Sequence, residues 1–221
     1  DYQAKTPAEA KAAGIETVYQ DLSLCTNVDV VDIEEADLFG SAVSLDGLRL
    51  AVGAPGERVD AVVIGRNEGA RLVACLASLQ GQVRRVIYVD SGSTDGSVAA
   101  AQTAGAEVLA LDLSLPFTAA RARNAGLLAL VAAPPDFVQL IDGDCVLDPG
   151  WIAAARAAFQ SHPTAVVVCG RRRERFPEAS VYNRMADREW NTPVGQAKAC
   201  GGDALMKFAA VMAVGGYRDD L

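Results

Sequence analysis

Phe137-Val138-Gln139-Leu140-Ile141-Asp142-Gly143-Asp144-Cys145-Val146-Leu147-Asp148-Pro149-Gly150-Trp151 is the stretch on which the reading of this chain turns. The apolar run over 137–141 stops at two carboxylates flanking a glycine, the pattern of a buried strand with a polar tip. In an extended backbone residues i and i+2 point to the same side, so Asp142 and Asp144 are expected to converge on one ion, while Gly143 lets a bulky ligand approach the main chain. Two hard oxygen donors suit Mg2+ or Mn2+, which keep positions open for water and phosphate oxygens, so the immediate reading is a metal-diphosphate site. An isolated Asp-Gly-Asp equally describes a turn whose aspartates accept backbone N–H groups. Downstream, Asp148 and Pro149 read as an N-cap and a first helical residue, with Trp151, Ala155, Ala158 and Phe159 as the apolar stripe behind them.

Working outward, the residues upstream repeat the same alternation. A buried-strand run over 59–65 is followed by Arg66-Asn67-Glu68-Gly69 and then by Leu72, Cys75, Leu76 and Leu79 at helical spacing. A strand over 83–89 ends at Asp90-Ser91-Gly92-Ser93-Thr94-Asp95-Gly96, where Asp95 is placed to cap a helix running to 104. A strand over 106–110 and a helix over 117–131 lead into the 137–141 strand. This β-α-β-α-β-α-β series argues for an α/β fold, a mostly parallel sheet with helices on both faces. Ligands in such sheets bind beyond the carboxyl ends of the strands, where the polar clusters at Arg66, Asp90 and Asp142 all fall. Asp90 can accept from a base or a ribose hydroxyl there, or can cap its own turn over 91–95. Arg121 and Arg123 lie two apart on one helix, so at most one is expected to reach the site.

Four stretches carry a family resemblance: Val62-Val63-Ile64-Gly65-Arg66-Asn67-Glu68, Val89-Asp90-Ser91-Gly92-Ser93-Thr94-Asp95-Gly96, Ala120-Arg121-Ala122-Arg123-Asn124-Ala125-Gly126 and Asp142-Gly143-Asp144. In their order and spacing, residues 59–221 resemble a family-2 glycosyltransferase of the GT-A (Rossmann-like) fold. The resemblance implies a sugar donor of the UDP or GDP type, bound by Gly65, Arg66, Asn67, Glu68, Asp90, Ser93, Arg121, Asn124 and Asp142. Asp144, with Asp142, would hold Mn2+ or Mg2+. Many members carry tyrosine where Arg66 stands, so base stacking at that position is not implied. The chemistry agrees, because departure of a diphosphate builds negative charge that a carboxylate-held divalent ion stabilises without a proton. The acceptor implied is a saccharide or a lipid-linked molecule.

Toward the C-terminus, Arg171-Arg172-Arg173-Glu174-Arg175, after a strand over 165–169, is either a solvated loop or a contact for a phosphorylated or lipid-diphosphate acceptor. Trp190 is either an acceptor-side residue or a core anchor, and Asp203 is a candidate acceptor contact. His162, the only histidine, reads as an exposed helix end. In inverting members of the family, a carboxylate just beyond the element that Gly215-Gly216-Tyr217 resembles acts as general base on the acceptor. No residue here matches it; Asp219 and Asp220 come too early. The base is therefore expected beyond Leu221, with donor binding intact and transfer weak or absent.

Composition bounds the rest. The 221 residues are 51% hydrophobic, enough for one full α/β core, and the net charge of -8 argues against nucleic acid as a partner. No apolar run reaches the roughly 18 residues of a membrane span, and no secretory signal is evident. Five cysteines without paired spacing read as reduced residues packed in a cytoplasmic protein. The chain opens on Asp1 rather than methionine, which reads as a fragment or processed chain. Three segments are expected: 1–36, 37–57 and a transferase-like 58–221. The first should hold a helix over 6–14 and a strand over 15–19. Over about 4–32 it resembles the glutamine-loop region of sugar ABC transporter ATPases, with Gln20 as the glutamine, but the chain has no G-x-x-x-x-G-K-[ST] phosphate loop. The second centres on an Asp46-Gly47 hairpin and resembles a single FG-GAP repeat, too little for a propeller. Two other readings remain open: a nucleotidyltransferase, and a non-catalytic composite interaction module.

Overall fold

The computed structural model describes residues 30–33, 57–191, 194–197, 200 and 202–218. The helix and strand expected over 6–19 and the hairpin at Asp46-Gly47 lie outside these residues. Among the described residues, eight strands form one sheet: β1 (Val30–Ile33), β2 (Val59–Gly65), β3 (Val86–Asp90), β4 (Glu107–Ala110), β5 (Phe137–Asp142), β6 (Val167–Gly170), β7 (Gly195–Ala197) and β8 (Ala204–Lys207). The helices are α1 (Ala70–Leu79), α2 (Ser97–Thr103), α3 (Ala119–Ala129), α4 (Trp151–Ser161), α5 (Val181–Glu189) and α6 (Phe208–Ala213).

The strand order is β4-β3-β2-β5-β8-β6-β1-β7. From β2 the chain winds outward through β3 and β4, then crosses back to lay β5 on the other side of β2, all parallel. That reversal is a topological switch point, and it opens a crevice at the carboxyl ends of β2 and β5. β8 runs antiparallel between β5 and β6, and β1 joins β6 in parallel and β7 in antiparallel register. The sequence reading had placed no strand at 30–33.

Period-two alternation assigns the strand residues to two cores. Val62, Ile64, Val89, Val138 and Leu140 pack with Ala122 and Leu127 of α3 and Phe208 and Val211 of α6. On the other face Ala61, Val63, Tyr88 and Ile141 pack with Leu72, Cys75, Leu76 and Leu79 of α1 and Trp151, Ile152, Ala155 and Phe159 of α4. Each fully buried Leu or Ile contributes about 1.5–3 kcal/mol of transfer free energy, so these faces hold the sheet and leave the strand ends free for chemistry. α3 approaches β2 closely because Gly126 has no Cβ, which would collide with Val62. The four described cysteines carry no disulfide, and none is fully exposed. Among the described residues, no helix is long and apolar enough to cross a membrane.

α4 runs from Trp151 behind Gly150, and the bond expected of Asp148 as a cap ahead of Pro149 is present: its Oδ1 accepts the Gly150 N–H at 2.9 Å, while its carbonyl accepts the Trp151 N–H at 3.1 Å. Asp95 does accept from Ser97 N–H at 2.9 Å, at the start of α2, and Thr118 caps α3 through the Arg121 N–H at 3.1 Å.

Candidate active site

β5 ends at Asp142, and the chain turns at once: Cys145 N–H donates to the Asp142 carbonyl at 3.0 Å. Gly143 N–H extends the ladder to Ile64 O at 2.8 Å, and a Cβ on Gly143 would stand 3.1 Å from that oxygen. The extended geometry expected to aim both carboxylates at one ion is therefore replaced by a turn. Asp142 points inward, where Arg123 Nη2 donates to its Oδ1 at 2.6 Å, and Asp144 is exposed. The Arg123 side chain is only 1% exposed and lies 5.6 Å over the Tyr217 ring. Gly202 passes over this pair, where any Cβ would collide with Arg123 and approach Asp142 Oδ2 to 3.0 Å.

The loops after β2 and β3 are laced together. Asn67 has φ of 57°, a left-handed conformation that asparagine tolerates better than most residues. Its N–H donates to Ser93 Oγ at 2.9 Å, and its Oδ1 accepts the Thr94 N–H at 2.7 Å. Asp90, 5% exposed, accepts Gly92 and Ser93 N–H groups on Oδ2 at 3.0 Å and the Tyr88 hydroxyl on Oδ1 at 3.1 Å. Of its two expected roles, capping its own turn is the one these bonds make. Glu68 reaches back beneath Gly65 and Gly143 and pairs with Arg71 at 2.8 Å. Burial chiefly, and also the nearby Asp144, push its carboxyl up, while Arg71 pulls it down. Arg66 projects from the same loop into solvent.

Two candidates sit elsewhere. Arg121 turns away from the crevice and donates to the carbonyls of Asp112, Leu115 and Pro116, pinning the loop that precedes α3. Asn124 clamps the backbone of Tyr217, accepting its N–H and donating to its carbonyl, each at 2.8 Å. Gly216 is required beside it, since a Cβ there would collide with the amide. Both residues shape the site without facing it.

On the far side of Asp142 lies Asp203, whose Oδ1 accepts the Asp142 N–H at 3.3 Å and whose Oδ2 meets Arg172 Nε at 3.3 Å. Arg172 in turn covers the Trp190 ring at 5.1 Å, so Trp190 and Asp203 are joined through one guanidinium. Burial first, and the Asp142 carboxylate next, push the Asp203 carboxyl up to about 6. The Cys145 thiol bridges Asp144 Oδ1 at 3.4 Å and Asp203 Oδ2 at 3.8 Å.

Of Arg121 and Arg123, Arg121 is the one the resemblance assigns to the donor, whereas Arg123 is the one that reaches the crevice; Arg172 of the basic run reaches it too, and Cys145 is not among the expected residues. A signal for Arg123 was present: it stands with Ala122, Gly126 and Leu127 on the buried stripe of α3, where a charge needs a partner. The contacts of Arg172 and Cys145 with Asp203 join residues far apart in sequence and leave no spacing to read.

Four carboxylates, Glu68, Asp142, Asp144 and Asp203, thus gather at the β2/β5 crevice. Arg123 neutralises Asp142, and Arg71 and Arg172 partly offset Glu68 and Asp203, leaving Asp144 as the exposed anionic oxygen donor. Among the described residues no three acidic, cysteine or histidine side chains converge closely enough to enclose an ion. The residues present fit a divalent ion held at Asp144 and completed by phosphate oxygens, the arrangement Mg2+-like ions commonly adopt.

Residues 60–209 match the family model described as glycosyl transferase family 2. A TPR repeat-containing protein of Synechococcus elongatus is 38% identical over 93 residues, 42% of this chain and 22% of that one. An uncharacterized glycosyltransferase of Rickettsia felis is 43% identical over 53 residues, 24% of this chain and 19% of that one. The chain therefore spans only about a fifth of the length of these relatives. Among solved structures, mannosyl-3-phosphoglycerate synthase from Rubrobacter xylanophilus superposes with a TM-score of 0.52 at 19% identity, over 70% of this chain and 54% of that one. Glucosyl-3-phosphoglycerate synthase from Mycobacterium tuberculosis, in complex with UDP, gives 0.50 at 22% identity, over 71% and 58%. These likenesses are of fold, and with the α/β topology they give the GT-A architecture. On the match of its family model across most of the sheet, the chain belongs to glycosyl transferase family 2.

Proposed function

We propose that this chain binds a nucleoside-diphosphate sugar, of the UDP or GDP type, at the β2/β5 crevice and serves its transfer to a saccharide or lipid-linked acceptor. The observation that carries the reading is the gathering of the β2, β3 and β5 ends around one exposed carboxylate, Asp144, at the switch point of the sheet. The mycobacterial synthase was crystallised with Mn2+, UDP-glucose and glycerol 3-phosphate, which supports a metal-diphosphate donor and a small hydroxyl acceptor.

In this reading Asp144 is the protein ligand of Mn2+ or Mg2+, and Asp142, committed to Arg123, anchors the turn that presents it. The ion supplies charge stabilisation to the departing diphosphate. Arg123 fixes Asp142 so that one of its oxygens is committed and the other faces Gly202. The laced loop of Asn67, Asp90 and Ser93 forms the wall for base and ribose, with Gly65 and Glu68 beneath it. Arg66 extends beside the phosphates. Arg121 and Asn124 act indirectly, by holding the 112–118 loop and the Tyr217 turn. Asp203 and Trp190, joined by Arg172, face the acceptor side.

Residues 58–221 are read as the transferase domain, with 1–36 and 37–57 as appended segments, the first of which lends β1 to the sheet. Reduced cysteines and a nucleotide-sugar donor favour the cytoplasm. A thermal-shift panel tests the proposal: UDP or GDP with Mn2+ should raise the midpoint, by about 2.7 kcal/mol of stabilisation at one hundred times Kd, and AMP should not. No shift with any nucleoside diphosphate would overturn it.

A further inference from the structure

Helix α5 is inside out. It buries no residue, and its half-buried side carries Asn183, Ala186 and Asp187, with Trp190 at its cap. Asp187 is engaged there with Arg171 Nη2 at 3.4 Å and with the Glu174 N–H at 3.1 Å. The outward side carries Val181, Tyr182 and Met185, spaced one and four residues apart, at 54%, 63% and 59% exposure. Phe176, just ahead of the helix, is 62% exposed and extends the apolar strip. Glu189, one turn beyond Met185, closes the strip at its C-terminal end.

Arginines frame this strip. Residues 171–189 hold six of them against four carboxylates, within a chain whose net charge is -8. Ion pairs engage both signs, Asp187 with Arg171, Glu178 with Arg184 at 2.8 Å and Arg172 with Asp203, while Glu174 accepts the Phe176 N–H at 2.9 Å. Arg184 and Arg188 flank the apolar residues on the outward side, and Arg175 lies 5.6 Å over the Phe176 ring. An exposed apolar strip rimmed by arginine is the pattern of a helix lying flat in a lipid interface, with side chains in the headgroup boundary and guanidinium groups among phosphates.

We propose that the α5 face docks on an anionic phospholipid surface. Charge favours lipid, since residues 171–189 carry a net charge of +2 against -3 for the rest of residues 57–221. A second copy of the chain fits less well, because four apolar side chains fall far short of the roughly 20–30 residues a side of a stable protein interface. The opposite side of α5 is tied to the crevice, because Trp190 at its end is joined through Arg172 to Asp203. The docking stands on this surface alone and does not depend on which donor the crevice takes.

The test is co-flotation of the full chain with vesicles of phosphatidylcholine and with vesicles that also contain phosphatidylglycerol. Binding to the anionic vesicles that falls as salt is raised is the expected result, with phosphatidylcholine alone binding little. Val181→Asp with Met185→Asp should weaken binding by roughly tenfold or more. Arg188→Ala should weaken it about fivefold, the factor equivalent to about 1 kcal/mol per basic residue. Leu128→Asp, at an equally exposed apolar position on α3, should leave it unchanged. Circular dichroism on each variant confirms that the fold is kept. No binding to anionic vesicles, equal binding to both compositions, binding unaffected by the Val181/Met185 pair, or a dimer that the pair dissolves would each overturn the proposal.

Discussion

Removing the charge of Arg123 is the sharpest test of how the end of β5 is built. Arg123→Met keeps most of the side-chain volume against Tyr217 but leaves Asp142 without its partner, with Asp203 beside it. Breaking a buried pair by deleting one member costs about 3–5 kcal/mol, chiefly from the charge left behind. The Asp142 side chain keeps 17% of its exposure, so the lower figure applies, about 3 kcal/mol. With a urea m-value of about 2 kcal/mol/M, the midpoint should fall by about 1.5 M. Asp142→Asn should cost a similar amount, because it strands a guanidinium that is 1% exposed. In the double variant neither charge remains, and its loss should stay near that of one single variant instead of their sum. The coupling from the four urea curves is therefore expected at about 3 kcal/mol, the upper end for interacting neighbours. Additive losses within about 0.5 kcal/mol would refute the argument that these two side chains form one neutralised unit.

Asp203 gives a pH prediction. Its carboxyl is held near 6 against an ordinary 3.8, so between these values the folded protein binds a proton that the unfolded chain does not. Stability should therefore fall as pH rises through that window, and the full penalty, up to about 3 kcal/mol, should be present at neutral pH. Asp203→Asn should accordingly raise the neutral-pH urea midpoint and flatten the acid-side profile; a neutral-pH loss would contradict the assigned strain. Gly126→Ala drives a methyl into Val62 and should cost about 1–3 kcal/mol, with Val62→Ala restoring part of it in the double variant. Asn124→Ala removes both bonds to the Tyr217 backbone and should cost about 2 kcal/mol in the same assay, at roughly 1 kcal/mol each.

The winding of β2 to β5 could be read from the sequence because each strand is a short apolar run that ends in a polar cluster, and the helices between them carry period-3.6 stripes. Those signals are local. The strand ends, and hence Asp90, Asp142 and the Arg66 loop, followed from them. β1 did not, since its pairing with β6 joins residues more than a hundred positions apart and its four residues have no flanking punctuation. The roles of Asp142 and Asp144 separated for a physical reason: the turn at Gly143 ends the strand alternation on which their convergence depended, and a guanidinium from α3 claims the first carboxylate. Arg121 and Arg123 were correctly divided between two faces of one helix, yet spacing alone could not say which face met the crevice. The buried neighbours of Arg123 decide it.

The central claim is a metal-diphosphate site at Asp144, and calorimetric titration of UDP and GDP with and without Mn2+ tests it most directly. The expected result is binding of one nucleoside diphosphate that requires the ion, and a loss of at least about tenfold in Asp144→Ala, equivalent to about 1.4 kcal/mol. Binding that is indifferent to Mn2+, binding that survives Asp144→Ala unchanged, or no binding at all would contradict it.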